Sequence, residues 1–210
     1  MKKWILFGFL FFVAGQIGAQ KTSVTFDELP QNARDFISEN FKNYRIVTAQ
    51  KKAKTNKIEY EVKISNETEI EFNKNGNITE VECVEPMNIQ AFPKIPADFV
   101  AANFPEIGVL AYKTNRNQIE IKLEDGTEIE LTSEGNLSAL ESEAGLPESL
   151  IPERLRSHVK ANYPEQKIIK YKAKANQQEI KLENGINLKF NTVGQPVSML
   201  SIKPKKKKNQ

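Results

Sequence analysis

The sequence predicts an α+β fold built from tandem units, each with one short helix packed on a roughly four-stranded antiparallel sheet. Three observations support this prediction: a motif that occurs three times, a change of hydrophobic period after each copy, and glycines placed where turns are needed. The 210 residues are 39% hydrophobic and 27% charged. The chain therefore has enough apolar material to build a core, and simple disorder is disfavoured.

The repeated motif is a hydrophobic-Pro pair followed eleven residues later by an Asn-aromatic pair. Apolar residues between the two pairs recur at helical spacing, which predicts a short amphipathic helix in each copy. Proline is well tolerated at the first helical position, because its missing N–H would have no partner there. The three copies are Leu29-Pro30 with Asn40-Phe41, Phe92-Pro93 with Asn103-Phe104, and Ile151-Pro152 with Asn162-Tyr163.

After each predicted helix, apolar and charged residues alternate, as in strands with one buried face. A three-residue loop at 124–126 pairs Ile121 with Ile129 and keeps one face apolar, whereas a two-residue loop would mix the faces. The longer loop needs a left-handed last residue, which predicts that role for Gly126 and Gly185. Glu67 holds the equivalent place in the first unit, where that backbone would cost about 1 kcal/mol.

These patterns divide the chain into five segments. A signal peptide is predicted at 1–19, the first unit at 20–90, the second at 91–145, the third at 146–202, and a disordered basic tail at 203–210. A unit of about 60 residues buries little surface when it folds alone, so we expect the units to pack against one another. The pattern leaves open whether their sheets join.

The first 19 residues combine Lys2 and Lys3 with an apolar run from Trp4 to Val13 and a small-residue end at Ala19. This arrangement predicts a cleaved signal peptide and an exported protein, periplasmic or extracellular. A membrane anchor would need roughly 20 apolar residues, and this run is too short. No cysteine lies near the cleavage site, which excludes a lipid-anchored lipoprotein.

Composition excludes several classes of function. Seven of the 30 basic residues lie in the leader and tail, which leaves 23 against 27 acidic residues, so a nucleic-acid-binding body is disfavoured. One Cys and one His exclude zinc sites built from Cys and His and exclude a disulfide framework. Motifs of serine hydrolases, zinc proteases, phosphate loops and Cys-x-x-Cys oxidoreductases are absent. We therefore predict no catalytic residue, cofactor or metal ligand.

A helix that opens with a hydrophobic-Pro pair and ends in Asn-Phe-Pro, followed by strands that carry Asp-Gly-Thr-Glu-Ile-Glu and a terminal Gly-Asn, resembles the PepSY-like family, also described as β-lactamase-inhibitor-like. The resemblance covers most of residues 24–202 in three copies. It implies secreted or periplasmic bacterial proteins with helix-on-sheet modules, some of which restrain peptidases. This chain lacks the disulfides of the β-lactamase inhibitor protein and has Glu and Lys where an aromatic-rich grip is expected. No functional residue of the family can be assigned to a position here.

The single cysteine and the single histidine each have two interpretations. His158 takes the place of Phe36 and Phe99 in the repeat, so it is either a core residue or an acid, base or ligand. Cys83 is either a small buried hydrophobe or a reactive thiol.

Charged residues supply the candidate partner contacts. The predicted register places Glu61 opposite Glu71 and Glu120 opposite Glu130, either as a solvated face or as acceptors for a cationic partner or a divalent ion. In the third unit the same register places Glu179 opposite Lys189, which relieves the repulsion. Four extra residues in the first hairpin predict a projecting loop that carries Lys51, Lys52, Lys54 and Lys57. The tail lysines Lys205, Lys206, Lys207 and Lys208 could make a weak contact with an anionic surface.

The resulting functional prediction is an exported, non-enzymatic protein-binding module that uses a sheet face or a groove between units. Its partner would be another secreted or envelope protein. One alternative is a PepSY-type inhibitor or restraint of a peptidase or other envelope enzyme, with the lysine loop as its contact. Another is an envelope-associated structural or ligand-sequestering protein held by the lysine tail.

Overall fold

The structure is a computed structural model that describes residues 20–54 and 57–200. The predicted signal peptide at 1–19 and the predicted tail at 203–210 lie outside the described residues. The helices are α1 (Gln31–Asn40), α2 (Lys94–Asn103) and α3 (Glu153–Asn162). The strands are β1 (Gln20–Ser23), β2 (Ile46–Lys54), β3 (Lys57–Ile64), β4 (Glu69–Asn73), β5 (Ile78–Met87), β6 (Val109–Thr114), β7 (Gln118–Leu123), β8 (Glu128–Thr132), β9 (Leu137–Glu141), β10 (Ile168–Ala173), β11 (Gln177–Leu182), β12 (Asn187–Asn191) and β13 (Pro196–Leu200).

The strands of the described residues form one antiparallel sheet whose spatial order is the order of the chain, from β1 to β13. The fold is therefore α+β, and the question of whether the sheets join is answered by β5 pairing with β6 and β9 pairing with β10. Each helix is followed by four strands, α1 by β2–β5, α2 by β6–β9 and α3 by β10–β13. We call these three stretches the first, second and third repeat. Strand β1, which the sequence did not predict, adds to β2 at the edge.

The repeated motif marks the two ends of each helix. Pro30, Pro93 and Pro152 lie at the N-cap, one residue before the predicted position, where a proline carbonyl can accept the first helical hydrogen bonds. At the other end, the side-chain amide of Asn162 donates to the carbonyl of His158 over 2.8 Å, and the other two motif asparagines make the same contact. The motif asparagine therefore adds a side-chain donor to a carbonyl in the last turns of each helix.

The predicted hairpin register is confirmed. Ile121 pairs with Ile129, and the N–H of Gly126 donates to the carbonyl of Leu123 over 3.0 Å. Gly126 and Gly185 have φ of 86° and 87°, in the left-handed region. Glu67 adopts the same conformation with φ of 67°, so the first repeat carries the predicted backbone strain.

A second set of glycines lets each helix approach the last turn of its own repeat. A Cβ on Gly76 would lie 2.7 Å from the backbone nitrogen of Ala33 in α1. A Cβ on Gly135 would lie 2.9 Å from Ile95 in α2, and one on Gly194 would lie 2.9 Å from Arg154 in α3. At Gly76 the contact is with helix backbone, so only glycine fits without displacing α1, whereas at Gly135 and Gly194 the contacts are with side chains.

The face of the sheet that carries the helices holds the core. An unbroken row of paired residues crosses it from Val62 in β3 to Leu188 in β12, and every member is aliphatic or a tyrosine. The buried residues form two clusters, one shared by the first two repeats and one within the third. Leu137 and Leu146 pack against both clusters and so connect them.

The prediction of a projecting lysine loop in the first repeat is wrong. Lys51, Lys52 and Lys54 belong to β2 and Lys57 begins β3, because the extra residues continue the strand pairing instead of leaving it. Strand β1 pairs with the same stretch on its other side, from Ser23 against Gln50 to Gln20 against Ala53. Because successive strand residues face opposite sides, Lys51 lies on the helix side, across from Tyr60, and Lys52 lies on the other side.

Candidate binding face

The face of the sheet opposite the helices is lined by charge, and we call it the charged face. Its first row follows the strand register through twelve paired positions, from β1 to β12. In order these are Ser23, Gln50, Glu61, Glu71, Glu80, Lys113, Glu120, Glu130, Ala139, Lys172, Glu179 and Lys189. The predicted Glu61–Glu71 and Glu120–Glu130 pairs are thus parts of one continuous row.

A second row runs parallel to the first, two residues along each strand. From β3 to β11 it contains Lys63, Glu69, Glu82, Ala111, Lys122, Glu128, Glu141, Lys170 and Lys181. Because this row shares the alternation of the first, its side chains lie on the same face.

The charge on this face is unevenly distributed. Across β3–β9 the two rows contain nine glutamates and three lysines, whereas across β10–β12 they contain four lysines and one glutamate. The first two repeats therefore form an acidic region and the third a basic region.

Lysines from neighbouring strands bridge part of the acidic region. The Nζ of Lys52 lies 2.6 Å from Glu61 and 2.9 Å from Glu71, so it spans the first predicted like-charge pair. Burial alone would raise the pKa of Glu61, but the hydrogen bond and charge of Lys52, helped by Lys21, bring it below its ordinary value. The Nζ of Lys113 is 2.8 Å from Glu80.

The second like-charge pair is less completely neutralised. Glu130 is 3.2 Å from Lys172. Burial, followed by the charge of Glu130, raises the pKa of Glu120 despite nearby Lys113. The pKa values of Glu82 and Glu128 are raised as well, first by burial, with glutamate charges among the further causes. These groups would be stabilised by an added cation.

The equivalent position in the third repeat behaves differently. Glu179 pairs with Lys189 in the register and lies 2.9 Å from the Nζ of Lys174. The hydrogen bond from Lys174 lowers the pKa of Glu179 more than its slight burial raises it. The predicted relief of repulsion in this repeat is therefore present.

A groove of about 880 Å³ opens on the charged face of the first repeat and the start of the second. It brings together three predicted contact residues, Lys52, Lys57 and Glu71, with Glu80 and Lys113. Glu59 also lines the groove, where it is 8% exposed and ion-paired with Lys57. Glu59 was missed at sequence level, because it looked like one more solvated strand residue. Its burial comes from the extended hairpin.

Cys83 and His158 both pack against the core. Burial raises the pKa of the Cys83 thiol to about 12, so the thiol stays protonated at neutral pH and is a poor nucleophile. The His158 ring meets Phe190 edge-on at a centroid distance of 5.3 Å, as Phe36 meets Phe72 at 5.9 Å in the first repeat. His158 thus takes the structural place of a phenylalanine.

Within the described ranges, no group of three or more Asp, Glu, His or Cys side chains has the geometry to hold a metal ion. None of the helices there is long and apolar enough to cross a membrane. The side chains of the charged face are suited to ion pairing and hydrogen bonding.

Known proteins provide an independent comparison. One similar solved structure comes from Bacteroides vulgatus and is described as a putative periplasmic protein of the DUF2874 family. Its sequence is 26% identical to this one, the match covers 59% of this chain and 98% of that chain, and the TM-score is 0.53. Another, described as a putative calcium-regulated periplasmic protein of Bacteroides thetaiotaomicron, is 19% identical over 86% of this chain and 97% of its own, with a TM-score of 0.29. No curated protein matches the chain.

The family comparison covers nearly the whole described fold. The model of the family described as "Putative beta-lactamase-inhibitor-like, PepSY-like" matches residues 16–79, 58–139 and 140–196. The first two matches overlap over residues 58–79, and the three together are consistent with about three tandem units. The protein belongs to the PepSY-like family.

Proposed function

We propose that this protein is an exported, non-enzymatic binding module whose charged face holds another secreted or envelope protein. The observation that carries the proposal is the acidic region, where nine glutamates outnumber three lysines across β3–β9. A complementary partner would present a basic surface there. The description of the Bacteroides vulgatus relative as periplasmic supports a periplasmic location.

Electrostatics explains why such a face suits a partner. The raised pKa values of Glu82, Glu120 and Glu128 mean that their charged forms are disfavoured in the free protein. A basic surface would offset this repulsion on contact and would speed encounter through long-range attraction. Partner binding of this kind weakens as salt rises.

In this proposal, each repeat is one helix packed on its own four strands, and the three repeats act together. The contact of each helix with the last turn of its own repeat, at Gly76, Gly135 and Gly194, supports this organisation. Strand pairing at β5–β6 and β9–β10 then makes the charged face continuous, so a partner can span more than one repeat.

The two alternative functions, enzyme inhibition and envelope association, rest on different lysines. The inhibitor interpretation used the projecting lysine loop as its contact, and that segment is paired strand instead. The tail lysines lie outside the described residues, so envelope association through Lys205–Lys208 remains a prediction.

The test is a crosslinked pull-down from envelope and secreted fractions that compares three baits: the protein, E120Q/E130Q, and E39Q/E165Q. The last variant removes two exposed carboxylates away from the charged face, Glu39 in α1 and Glu165 after α3. We expect one dominant stoichiometric protein that E39Q/E165Q retains, that E120Q/E130Q loses, and that dissociates as salt rises.

Two outcomes would contradict the proposal. Equal capture by both variants would place the contact elsewhere, and the absence of any stoichiometric protein would remove the binding function. A further bait that lacks Lys203–Gln210 separates the tail hypothesis, because loss of all capture with that bait would assign retention to the tail.

A further inference from the structure

The two junctions between successive repeats have the same length but different chemistry. In both, the last strand of one repeat leads through a short 3-10 turn, Ile89–Ala91 or Glu148–Leu150, into the next helix. A residue of the first junction corresponds to the residue 59 positions later in the second. The chain thus contains its own internal comparison.

The first junction is closed by apolar packing. Pro86 lies over Gly108 so tightly that a Cβ on this glycine would be 2.4 Å from the Cβ of Pro86. Ile89 and Ala97 are buried, and Ile107 packs against the main core cluster.

The second junction is open and cationic. Gly145 replaces Pro86, and a cavity of about 620 Å³ lies beside α3 at this place. Around the cavity, Arg156, Lys160, Gln166 and Lys167 stand where the first junction has Ala97, Ala101, Ile107 and Gly108. Four substitutions in one small region thus change apolar or absent side chains into polar or charged ones.

The lining combines an apolar floor with cations at its edge. Phe104, Ile151 and Val159 are each less than a tenth exposed and form part of the floor. Within the described part of the chain, neither Lys160 nor Lys167 forms an ion pair, whereas Arg156 is paired with Glu148 and Glu153.

Among the described residues, two acidic residues line the cavity, Glu148 and Asp125. Glu148 pairs with Arg156, and Asp125 is hydrogen-bonded within its own turn. The carboxylate of Asp125 accepts hydrogen bonds from the backbone N–H of Thr127 over 2.8 Å and from its hydroxyl over 3.0 Å. Two lysine cations therefore remain available above an apolar floor, in a cavity whose volume lies in the range of about 300–1,000 Å³ typical of small-molecule sites.

We propose that this cavity binds a small amphiphilic anion, with its carboxylate or sulfonate on Lys160 and Lys167 and its aliphatic or aromatic body on the floor. The ion pair gains strength because the protein displaces water from one side of it. The apolar body gains by leaving water. This site is separate from the charged face and does not rest on the function proposed for that face.

The test uses 8-anilinonaphthalene-1-sulfonate as a fluorescent probe and decanoate as its competitor, with 1-decanol as the uncharged analogue. We expect one saturable probe site, displacement by decanoate, and at least tenfold weaker displacement by decanol. In NMR spectra, decanoate should shift the amide of Gly145 and leave that of Gly108 unchanged.

The decisive variant is K160A/K167G, which replaces the two lysines with the residues found at the equivalent positions of the first junction, Ala101 and Gly108. We expect it to weaken decanoate binding at least tenfold, whereas K74A/K94A, which removes two exposed lysines elsewhere, should change it less than twofold. Should the double variant not fold, Lys160→Ala alone replaces an exposed helical residue with a good helix former and should weaken binding several-fold.

Three results would overturn the proposal: no saturable binding, equal displacement by decanol and decanoate, or unchanged affinity in folded K160A/K167G. Probe affinity that survives in the folded variant would also overturn it, because the dye would then bind another apolar surface.

Discussion

At the scale of single residues, equivalent positions of the repeats carry the same side chain in different surroundings. Glu120 lies opposite Glu130, whereas Glu179 lies opposite Lys189 and beside Lys174. The sequence predicted both pairings, because hydrophobic alternation defines the hairpin register. It did not predict the lysines that reach Glu61, Glu71 and Glu130 from neighbouring strands, because those contacts depend on pairings outside the hairpin.

The glutamates at these equivalent positions should respond oppositely to neutralisation. Because the pKa of Glu120 is raised above 4.5, its charge disfavours the fold at neutral pH, and this penalty disappears as pH falls below the ordinary value. We expect Glu120→Gln to raise the free energy of unfolding at pH 7 by a few tenths of a kcal/mol, allowing for solvent screening. The gain should shrink as pH approaches 4.

Glu179→Gln is the matched control, measured by urea unfolding at several pH values. The pKa of Glu179 is lowered, so its charge stabilises the fold at pH above the ordinary carboxyl pKa. That stabilisation is lost as pH falls through the pKa of the folded state. This variant should be less stable than the protein at pH 7. A loss of stability in both variants would contradict the assignment of repulsion at Glu120.

Lys52 should matter more than an ordinary surface lysine. Its side chain is 18% exposed and bridges Glu61 and Glu71, whereas that of Lys94 is 85% exposed and pairs with Asp98 alone. We expect Lys52→Ala to lower the free energy of unfolding by about 1 kcal/mol and Lys94→Ala by less than about 0.5 kcal/mol.

Acidification supplies the further check on Lys52. Because the pKa of Glu61 is lowered, the bridge stabilises the fold above the ordinary carboxyl value and is lost as Glu61 becomes protonated. The difference between the protein and Lys52→Ala should therefore narrow at low pH. A difference that stays constant would indicate lost packing of the lysine stem instead.

At the scale of elements, glycines perform two separate tasks that look alike in the sequence. Gly126 and Gly76 both have positive φ, but a Cβ on Gly126 would meet nothing within 4 Å, whereas one on Gly76 would meet the backbone of α1. The turn role could be predicted from the spacing of the strands. The helix contact could not, because it joins residues more than 40 positions apart.

Alanine substitution separates the two tasks. We expect Gly126→Ala to cost about 1 kcal/mol from the left-handed backbone alone. Gly76→Ala should cost at least about 1 kcal/mol more, because α1 must also move away from the turn. Thermal and urea unfolding measure both, and equal losses would show that the helix adjusts freely.

At the scale of the whole molecule, the core is continuous through the first two repeats and forms a separate cluster in the third. The three copies could be predicted from the repeated motif, whereas the single sheet could not. The strands that join repeats, β5 with β6 and β9 with β10, are separated by a helix, and their pairing leaves no local pattern. The junction cavity also escaped prediction, since it arises from packing between distant residues.

The distribution of the core predicts how the molecule can be divided. A fragment of residues 20–145 keeps the first cluster, and we expect it to unfold cooperatively in urea with circular dichroism as the readout. A fragment of residues 20–90 cuts through that cluster and should lack a cooperative transition. A cooperative short fragment, or an unfolded long one, would contradict this division.

Strand order that follows chain order has a consequence for folding kinetics. Every strand in the described sheet pairs with its neighbour in sequence, so the longest segment that must close before pairing is one helix with its flanking turns. Short closures cost little chain entropy and favour rapid folding, which is unusual for so large a sheet. Folding can therefore nucleate in any repeat and propagate to the neighbouring repeats. In a chain that emerges one end first, strand pairing can start before the other end has emerged.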